Sequence, residues 1–239
     1  MPKGLVAIPA YNEEASLGDT LDELCRFWPR EDVLVVDDGS RDSTSKVAAS
    51  RGVLTLRHPT NLGYTAALQT AAIYAQRKSY SYLIFMDADG QHDPQTLAEM
   101  GRYLLASDAD IVIGSRFKSS NGKEIPLARR LVMYLLAMMT SAVLRQRVTD
   151  TTSGFKAVHS RIFGELQRSH IVDFHSEFLV YLRMRGYKLA EIPAAMRPRR
   201  AGHSMHGWAT LLALPVRTLA GMFIGTIEAF ASRRHGKSN

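Results

Sequence analysis

Short apolar runs recur along the first half of the chain, at Leu5–Ile8, Val33–Val36, Val53–Leu56, Tyr82–Met86 and Ile111–Ile113. Each is too short for a buried helix and reads as a strand. The stretches between them have helical spacing. Ala15 to Phe27 places Leu17, Leu21 and Leu24 on one face, Ser43 to Ser50 is short, and Leu62 to Arg77 is Ala-rich. Pro94 to Leu105 opens with Pro at a first helical position. Alternating strands and helices predict an α/β fold, a mostly parallel central sheet with helices on both faces. Ligands of such sheets bind beyond the carboxyl ends of the strands. Those ends are Pro9-Ala10-Tyr11-Asn12-Glu13, Asp37-Asp38-Gly39-Ser40 and Asp87-Ala88-Asp89. The pattern therefore predicts that all three lie on one edge.

After Gly114 the pattern changes. A loop at Lys118–Lys123 leads to an uncharged run, Leu131 to Leu144, and then to Asp150-Thr151-Thr152-Ser153-Gly154-Phe155. Helical segments follow near Ser160–Arg168 and Ser176–Arg185. A late strand at Leu189–Ile192 precedes the basic run Arg197-Pro198-Arg199-Arg200. No repeat or low-complexity linker interrupts the chain. The expected organisation is one domain over residues 1–205 and an amphipathic basic extension over 206–239.

Charge sharpens this picture. Residues 1–128 carry 13 Lys and Arg against 17 Asp and Glu, whereas residues 129–239 carry 17 against 6. A basic second half suits a phosphorylated or lipid-surface partner. Its aromatics (Phe155, Phe174, Phe178, Tyr181, Trp208) are not interleaved with basic residues, which argues against a nucleic-acid partner. The uncharged run Leu131–Leu144, bracketed by Arg129-Arg130 and Arg145-Gln146-Arg147, is too short to span a bilayer and suits an interfacial helix. Trp208 to Ala231 is long enough, but Arg217 and Glu228 interrupt it. Peripheral attachment to a membrane through these segments is expected, with two ordinary core helices as the alternative. The single cysteine, Cys25, excludes an intrachain disulfide and reads as buried filler. No leader is read at the start, where Leu5–Ile8 ends in Pro9 as a strand does.

The candidate chemistry lies at the strand ends. Asp87 and Asp89, one residue apart before a Gly turn, can aim hard oxygen ligands at one point, as suits a divalent cation that keeps positions open for substrate phosphates. Asp37 and Asp38 can accept hydrogen bonds from a base edge or a ribose hydroxyl, while Asp42 or Ser40 caps the next helix. No Gly-x-Gly-x-x-Gly or Walker-type loop is present, so phosphates must be held by a metal and by Arg. His170, His175, His203 and His206 lack zinc-ligand spacing with acids.

In order along the chain, Pro9-Ala10-Tyr11-Asn12-Glu13, Val36-Asp37-Asp38-Gly39-Ser40, Asn61-Leu62-Gly63, Met86-Asp87-Ala88-Asp89-Gly90-Gln91 and Gly114-Ser115-Arg116 resemble the family 2 glycosyltransferases of GT-A fold. The continuation Gln91-His92-Asp93-Pro94 and the segment Ser153-Gly154-Phe155-Lys156 are similar to the branch that makes dolichyl- or undecaprenyl-phosphate sugars. The resemblance covers roughly residues 5–205. It implies a nucleotide-sugar pocket lined by Pro9, Tyr11, Glu13, Asp37, Asp38, Asp87, Ala88 and Asp89. It implies Mg2+ or Mn2+ held by Asp87, Asp89 and Gln91. It further implies phosphate contacts from Arg116, Arg129, Arg130, Arg199 and Ser204, with Asp89, Arg116 and Arg199 carrying the catalysis. Two positions depart from the family pattern. Met205 stands where Lys often follows the late Ser, and Tyr64 stands where a basic residue or Gly is common after Asn-x-Gly.

The expected reaction is inverting transfer of a sugar from a nucleotide diphosphate to a polyprenyl phosphate at the cytoplasmic face of a membrane, with a partner or a second copy as a further means of anchoring. A polyprenyl phosphate is already anionic and needs no general base, whereas an alcohol acceptor needs one; Asp150, Asp173 and Glu177 are the candidates. Glu177 reads equally as an acceptor-site residue or as a surface partner of Arg183 or Arg185. The alternatives are transfer to a glycan or small-molecule hydroxyl, a non-catalytic nucleotide-sugar binding subunit and, disfavoured for want of a Gly-rich phosphate loop, a nucleotidyltransferase. The sequence leaves the sugar and the nucleobase open.

Overall fold

The computed structural model describes residues 2–119, 127–168 and 174–197 and short helical stretches at 219–221, 223–224 and 226–227, with side chains left out at 127–129 and 168. The expected boundary between residues 205 and 206 lies outside the described residues.

Seven strands form one sheet: β1 (Gly4–Ala10), β2 (Val33–Asp37), β3 (Leu54–Arg57), β4 (Tyr82–Phe85), β5 (Ile111–Ser115), β6 (Lys156–His159) and β7 (Leu189–Pro193). Their spatial order is β3-β2-β1-β4-β6-β5-β7. All run in one direction except β6, which is antiparallel to both β4 and β5. Every strand read from the sequence is present. β6 is the addition, hidden because Lys156 is fully buried at its start and breaks the apolar pattern.

The alternation of side chains across the sheet divides the core in two. Leu5, Ala7, Leu34, Val36, Leu83 and Phe85 face α3 (Tyr64–Arg77), α6 (Phe163–Arg168) and α7 (Ser176–Met184). Val6, Ile8, Val33, Val35 and Ile84 face α1 (Leu17–Leu24) and α4 (Gln95–Ala106). The short α2 (Thr44–Ser50) packs beside α1. Pro94 stands just before α4 rather than inside it, and Cys25 is half-buried rather than buried.

The apolar helix, α5, runs from Leu127 to Leu144, so Arg129 and Arg130 belong to its first turns rather than flanking it. Met133, Leu136, Ala137, Thr140 and Leu144 are buried, while Leu131, Tyr134, Leu135, Met138 and Val143 are exposed. Further on, Leu219, Phe223, Ile224 and Ile227 are exposed at helical spacing. No described helix is long and apolar enough to cross a membrane.

Candidate active site

Six strands end at the same edge of the sheet, and the reversed β6 begins there. That reversal delivers the Asp150–Gly154 turn to the edge where β1, β2, β4 and β5 release their terminal loops.

The loops after β1 and β2 are tied together. Asn12, in the left-handed region at φ 55°, donates its N–H to Ser40 Oγ (2.9 Å) and accepts from the Arg41 N–H through Oδ1 (2.8 Å). The Glu13 N–H donates to Thr44 Oγ1 (2.8 Å), and the Glu13 carboxylate accepts from the Ser16 hydroxyl. Pro9 and Tyr11 are half-buried beside this seam. Asp42 accepts from the Thr44 N–H (3.0 Å) and so caps α2, whereas Ser40 serves the β1 loop.

Asp37 and Asp38 are both buried. Asp37 accepts from the Ser40 N–H (2.8 Å) and the Ser45 hydroxyl, with Arg57 Nε 3.6 Å away. Asp38 Oδ1 accepts from the Leu62 N–H (2.9 Å) and meets His58 Nδ1 at 2.7 Å, and its Oδ2 accepts from the Gly63 N–H (2.8 Å). These bonds fold the walls of the edge and leave Asp38 Oδ2 with one further acceptor position.

The β4 loop carries the exposed acid. Asp87 is about one-third open to solvent, while Ala88 and Asp89 are buried. Gly90, at φ 73°, turns the chain so that Asp89 Oδ1 accepts the Gln91 N–H at 3.0 Å. Gln91 Nε2 donates to the Arg197 carbonyl (3.2 Å), and the Arg197 N–H donates back to the Gln91 carbonyl (2.8 Å). The Arg197 guanidinium bridges Glu23 and Asp93. The segment entering the basic run is therefore fastened to the acidic loop.

Arg116 and Asp150 form the other half. Arg116 donates from Nε to Asp150 Oδ2 (2.6 Å), from Nη2 to Oδ1 (2.6 Å), from Nη2 to Thr152 Oγ1 (2.7 Å), and from its own N–H to Asp150 Oδ2 (3.0 Å). The Asp150 N–H donates to Glu191 on β7 (2.9 Å). Burial alone would raise the Asp150 carboxyl, but the Arg116 hydrogen bonds and charge hold it below its ordinary value. Burial works against the Arg116 charge, but the hydrogen bonds and charge of Asp150, with Asp87 adding to them, keep its value raised.

A buried carboxylate so committed is a poor proton acceptor, which corrects the reading of Asp150 as a general base. Glu177 is buried against Gly221 rather than paired on the surface. Arg185 pairs with Glu165 and Arg183 reaches the Leu144 carbonyl, which removes the surface-partner reading. Asp173, Arg199, Ser204, Met205, His170, His203 and His206 lie outside the described residues, as does the Arg129 side chain. Arg130 is half-buried on α5.

Gly154 tests the fit of a cation. A Cβ at Gly154 would stand 2.9 and 3.0 Å from the two Asp87 oxygens and 3.1 Å from Tyr64 Oη. Glycine thus keeps open the space beside the exposed carboxylate. Among the described residues no three His, Cys, Asp or Glu side chains converge as a complete metal site. An exposed carboxylate beside open space, with a second carboxylate and an amide on the same loop, is a donor set that suits Mg2+ or Mn2+ completed by substrate phosphates. Two residues to which the sequence reading gave no role in the site border this space. His92 is buried beneath Asp87, and burial pushes its imidazole below the ordinary value despite the Asp87 and Asp89 charges. Tyr64 stacks on His175, with ring centroids 6.3 Å apart. Only the family resemblance marked Tyr64, and nothing in the spacing marked His92.

Residues 5–166 match the profile of "Glycosyl transferase family 2". The chain belongs to that family. The transferase is 31% identical over 211 residues to the undecaprenyl-phosphate mannosyltransferase of Micrococcus luteus, covering 84% of this chain and 86% of that one. It is also 31% identical to the polyprenol monophosphomannose synthase of Mycolicibacterium smegmatis, covering 84% and 79%. Its fold matches glucosyl-3-phosphoglycerate synthase from Mycobacterium tuberculosis, solved with Mn2+, uridine diphosphate and glucosyl-3-phosphoglycerate. That match has a TM-score of 0.65 and 18% identity, covering 94% of this chain and 80% of that one. The transferase thus has the GT-A architecture expected from its sequence, and its relatives include the polyprenyl-phosphate branch.

Proposed function

We propose that the transferase moves a sugar from a nucleotide diphosphate to a polyprenyl phosphate at the cytoplasmic face of a membrane. One juxtaposition carries this reading. The Asp87–Asp89 loop and the Arg116–Asp150 pair share one edge, on a chain whose α5 leaves an apolar face exposed. The nucleotide lies over the β1 and β2 loops, in a pocket formed by Pro9, Tyr11, Glu13, Asp37, Asp38 and Ala88. Asp87, Asp89 and the Gln91 amide oxygen hold Mg2+ or Mn2+, with the Gln91 amide nitrogen left on Arg197. The bound cation supplies Lewis-acid stabilisation of the departing diphosphate.

Arg116 keeps Nη1 outside its bonds to Asp150 and Thr152 and offers it to phosphate as fixed positive charge. Arg129, Arg130, Arg199 and Ser204 complete the acceptor-phosphate contacts. The acceptor oxygen forms its bond to the anomeric carbon as the bond to the diphosphate breaks on the opposite face. No proton is transferred, which accords with the absence of a free base at Asp150. Residues 1–205 act as the transfer domain and 206–239 as the basic extension.

Purified protein, labelled nucleotide sugars, undecaprenyl or dolichyl phosphate and Mg2+ or Mn2+ test the reading. Label should enter organic-extractable lipid and disappear with chelator. Label found only in water-soluble glycan or small-molecule product would favour the hydroxyl acceptor.

The exposed apolar residues of α5 and the exposed Leu219, Phe223, Ile224 and Ile227, in a half of the chain that also carries Arg130, Arg145 and Arg147, support direct contact with a lipid surface. Burying Met138 in lipid is worth roughly 1.5–3 kcal/mol. Met138→Glu should therefore weaken sedimentation with anionic vesicles on the order of tenfold while leaving nucleotide binding intact. Unchanged sedimentation would remove α5 from the contact.

A further inference from the structure

His92 is buried directly behind the acidic loop, and every side of it is fastened. Its main chain bridges to Met196. Its ring lies flat on Phe155, with centroids 4.5 Å apart and planes within 12°. Phe155 follows Gly154, whose missing Cβ opens the space beside Asp87. The stack therefore joins the loop that carries the two carboxylates to the turn that makes room for their ligand.

The ring nitrogens both address Asp87. Nδ1 accepts the Asp87 backbone N–H at 3.1 Å. A ring nitrogen that accepts carries no hydrogen, so the hydrogen of the neutral ring belongs on Nε2. Nε2 stands 3.7 Å from Asp87 Oδ2. That is ~0.7 Å beyond hydrogen-bond length, within reach of a small rotation of the carboxylate. One ring thus sets the height of the Asp87 main chain and gives one carboxylate oxygen a donor to turn towards.

We infer that His92 is a positioning residue for the cation site, holding Asp87 through Nδ1 and orienting its carboxylate through Nε2–H so that the other oxygen faces the ligand. This rests on the reading that Asp87 and Asp89 take the cation. A group that orients a metal-binding carboxylate is typically worth about 10- to 100-fold in metal affinity. His92 reaches no substrate and is not itself catalytic.

Mn2+ binding to the full chain, followed by electron paramagnetic resonance with UDP or GDP present, tests the inference. His92→Phe keeps a ring against Phe155 and removes both nitrogens. It should weaken Mn2+ at least tenfold. His92→Gln places an amide nitrogen near the Nε2 position and should recover part of that loss. Asp87→Asn should abolish binding. If Asp87→Asn loses Mn2+ while a folded His92→Phe binds it as tightly as the parent, the inference fails and the cation reading stands. If the parent itself binds no Mn2+, both fail.

Should His92→Phe not fold, 15N-histidine NMR on the parent decides, with the His92 signals assigned from their loss in His92→Gln. The hydrogen should reside on Nε2, and that resonance should move when Mg2+ and nucleotide are added. A hydrogen on Nδ1, or a resonance indifferent to Mg2+, overturns the inference.

Discussion

Asp89→Asn should lower transfer by about a thousandfold or more while the protein stays folded and melts in chelator near the parent. A cation that stabilises a departing diphosphate contributes several kcal/mol to the transition state, and each 1.36 kcal/mol is a factor of ten in rate. The asparagine retains an oxygen to accept the Gln91 N–H and so keeps the turn that Gly90 makes. What it removes is a buried charge two residues from a second carboxylate. Like charges in one site disfavour each other, which offsets part of what the metal-free fold loses by the change. Asp89→Ala should be as inactive and cost roughly 1 kcal/mol more through the lost turn bond. The checks are initial rates with saturating Mg2+ or Mn2+ and thermal melts in chelator. Substantial activity in the asparagine variant would remove Asp89 from the cation site.

The strand ends that carry Asp37, Asp38, Asp87 and Asp89 were legible because each follows an apolar run too short to be a helix. Parallel topology then puts such ends on one edge without knowledge of any contact. β6 was not legible. It is four residues long and opens on Lys156, a fully buried cation whose ammonium donates to the Ser153 carbonyl and lies 5.0 Å from the centre of the Phe174 ring. Period-two reasoning treats a charged residue as outward-facing, and here that assumption fails. From the sequence the Asp150–Gly154 turn reads only as a motif, since its arrival beside Asp87 depends on the reversal that β6 makes.

Asp38 shows another limit. A carboxylate at a strand end reads as a ligand-facing group, yet its oxygens are engaged by Leu62, Gly63 and His58, residues 20 to 25 positions away. The α5 helix shows the opposite case. Its uncharged run was visible, and only packing shows that one face is buried and the other left to solvent.

Asp150→Asn should be the most destabilising single change at the site. The amide places an N–H against the Arg116 donors and leaves a buried guanidinium without its counter-charge. Breaking a buried pair by removing one partner costs about 3–5 kcal/mol. For a chain of this size that is a fall of roughly 6–20 °C in melting temperature. Because Asp150 is held below its ordinary value, its contribution is complete above about pH 4, the unfolded value, and is lost as pH falls through the lower folded value. The parent should therefore lose stability on acidification in that window, and the difference between parent and variant should shrink there. Arg116→Met alone should also destabilise, by stranding the Asp150 carboxylate. Combining Arg116→Met with Asp150→Leu should recover much of the loss, since an apolar pair avoids both desolvation costs, yet transfer should stay abolished in the double variant. Denaturant melts across pH, with transfer assays beside them, check the whole cycle. Additive losses in the double variant would mean that the two groups do not act as a pair. Recovered stability without recovered transfer would mean that the pair is kept for the charge that Arg116 presents to phosphate rather than for the fold.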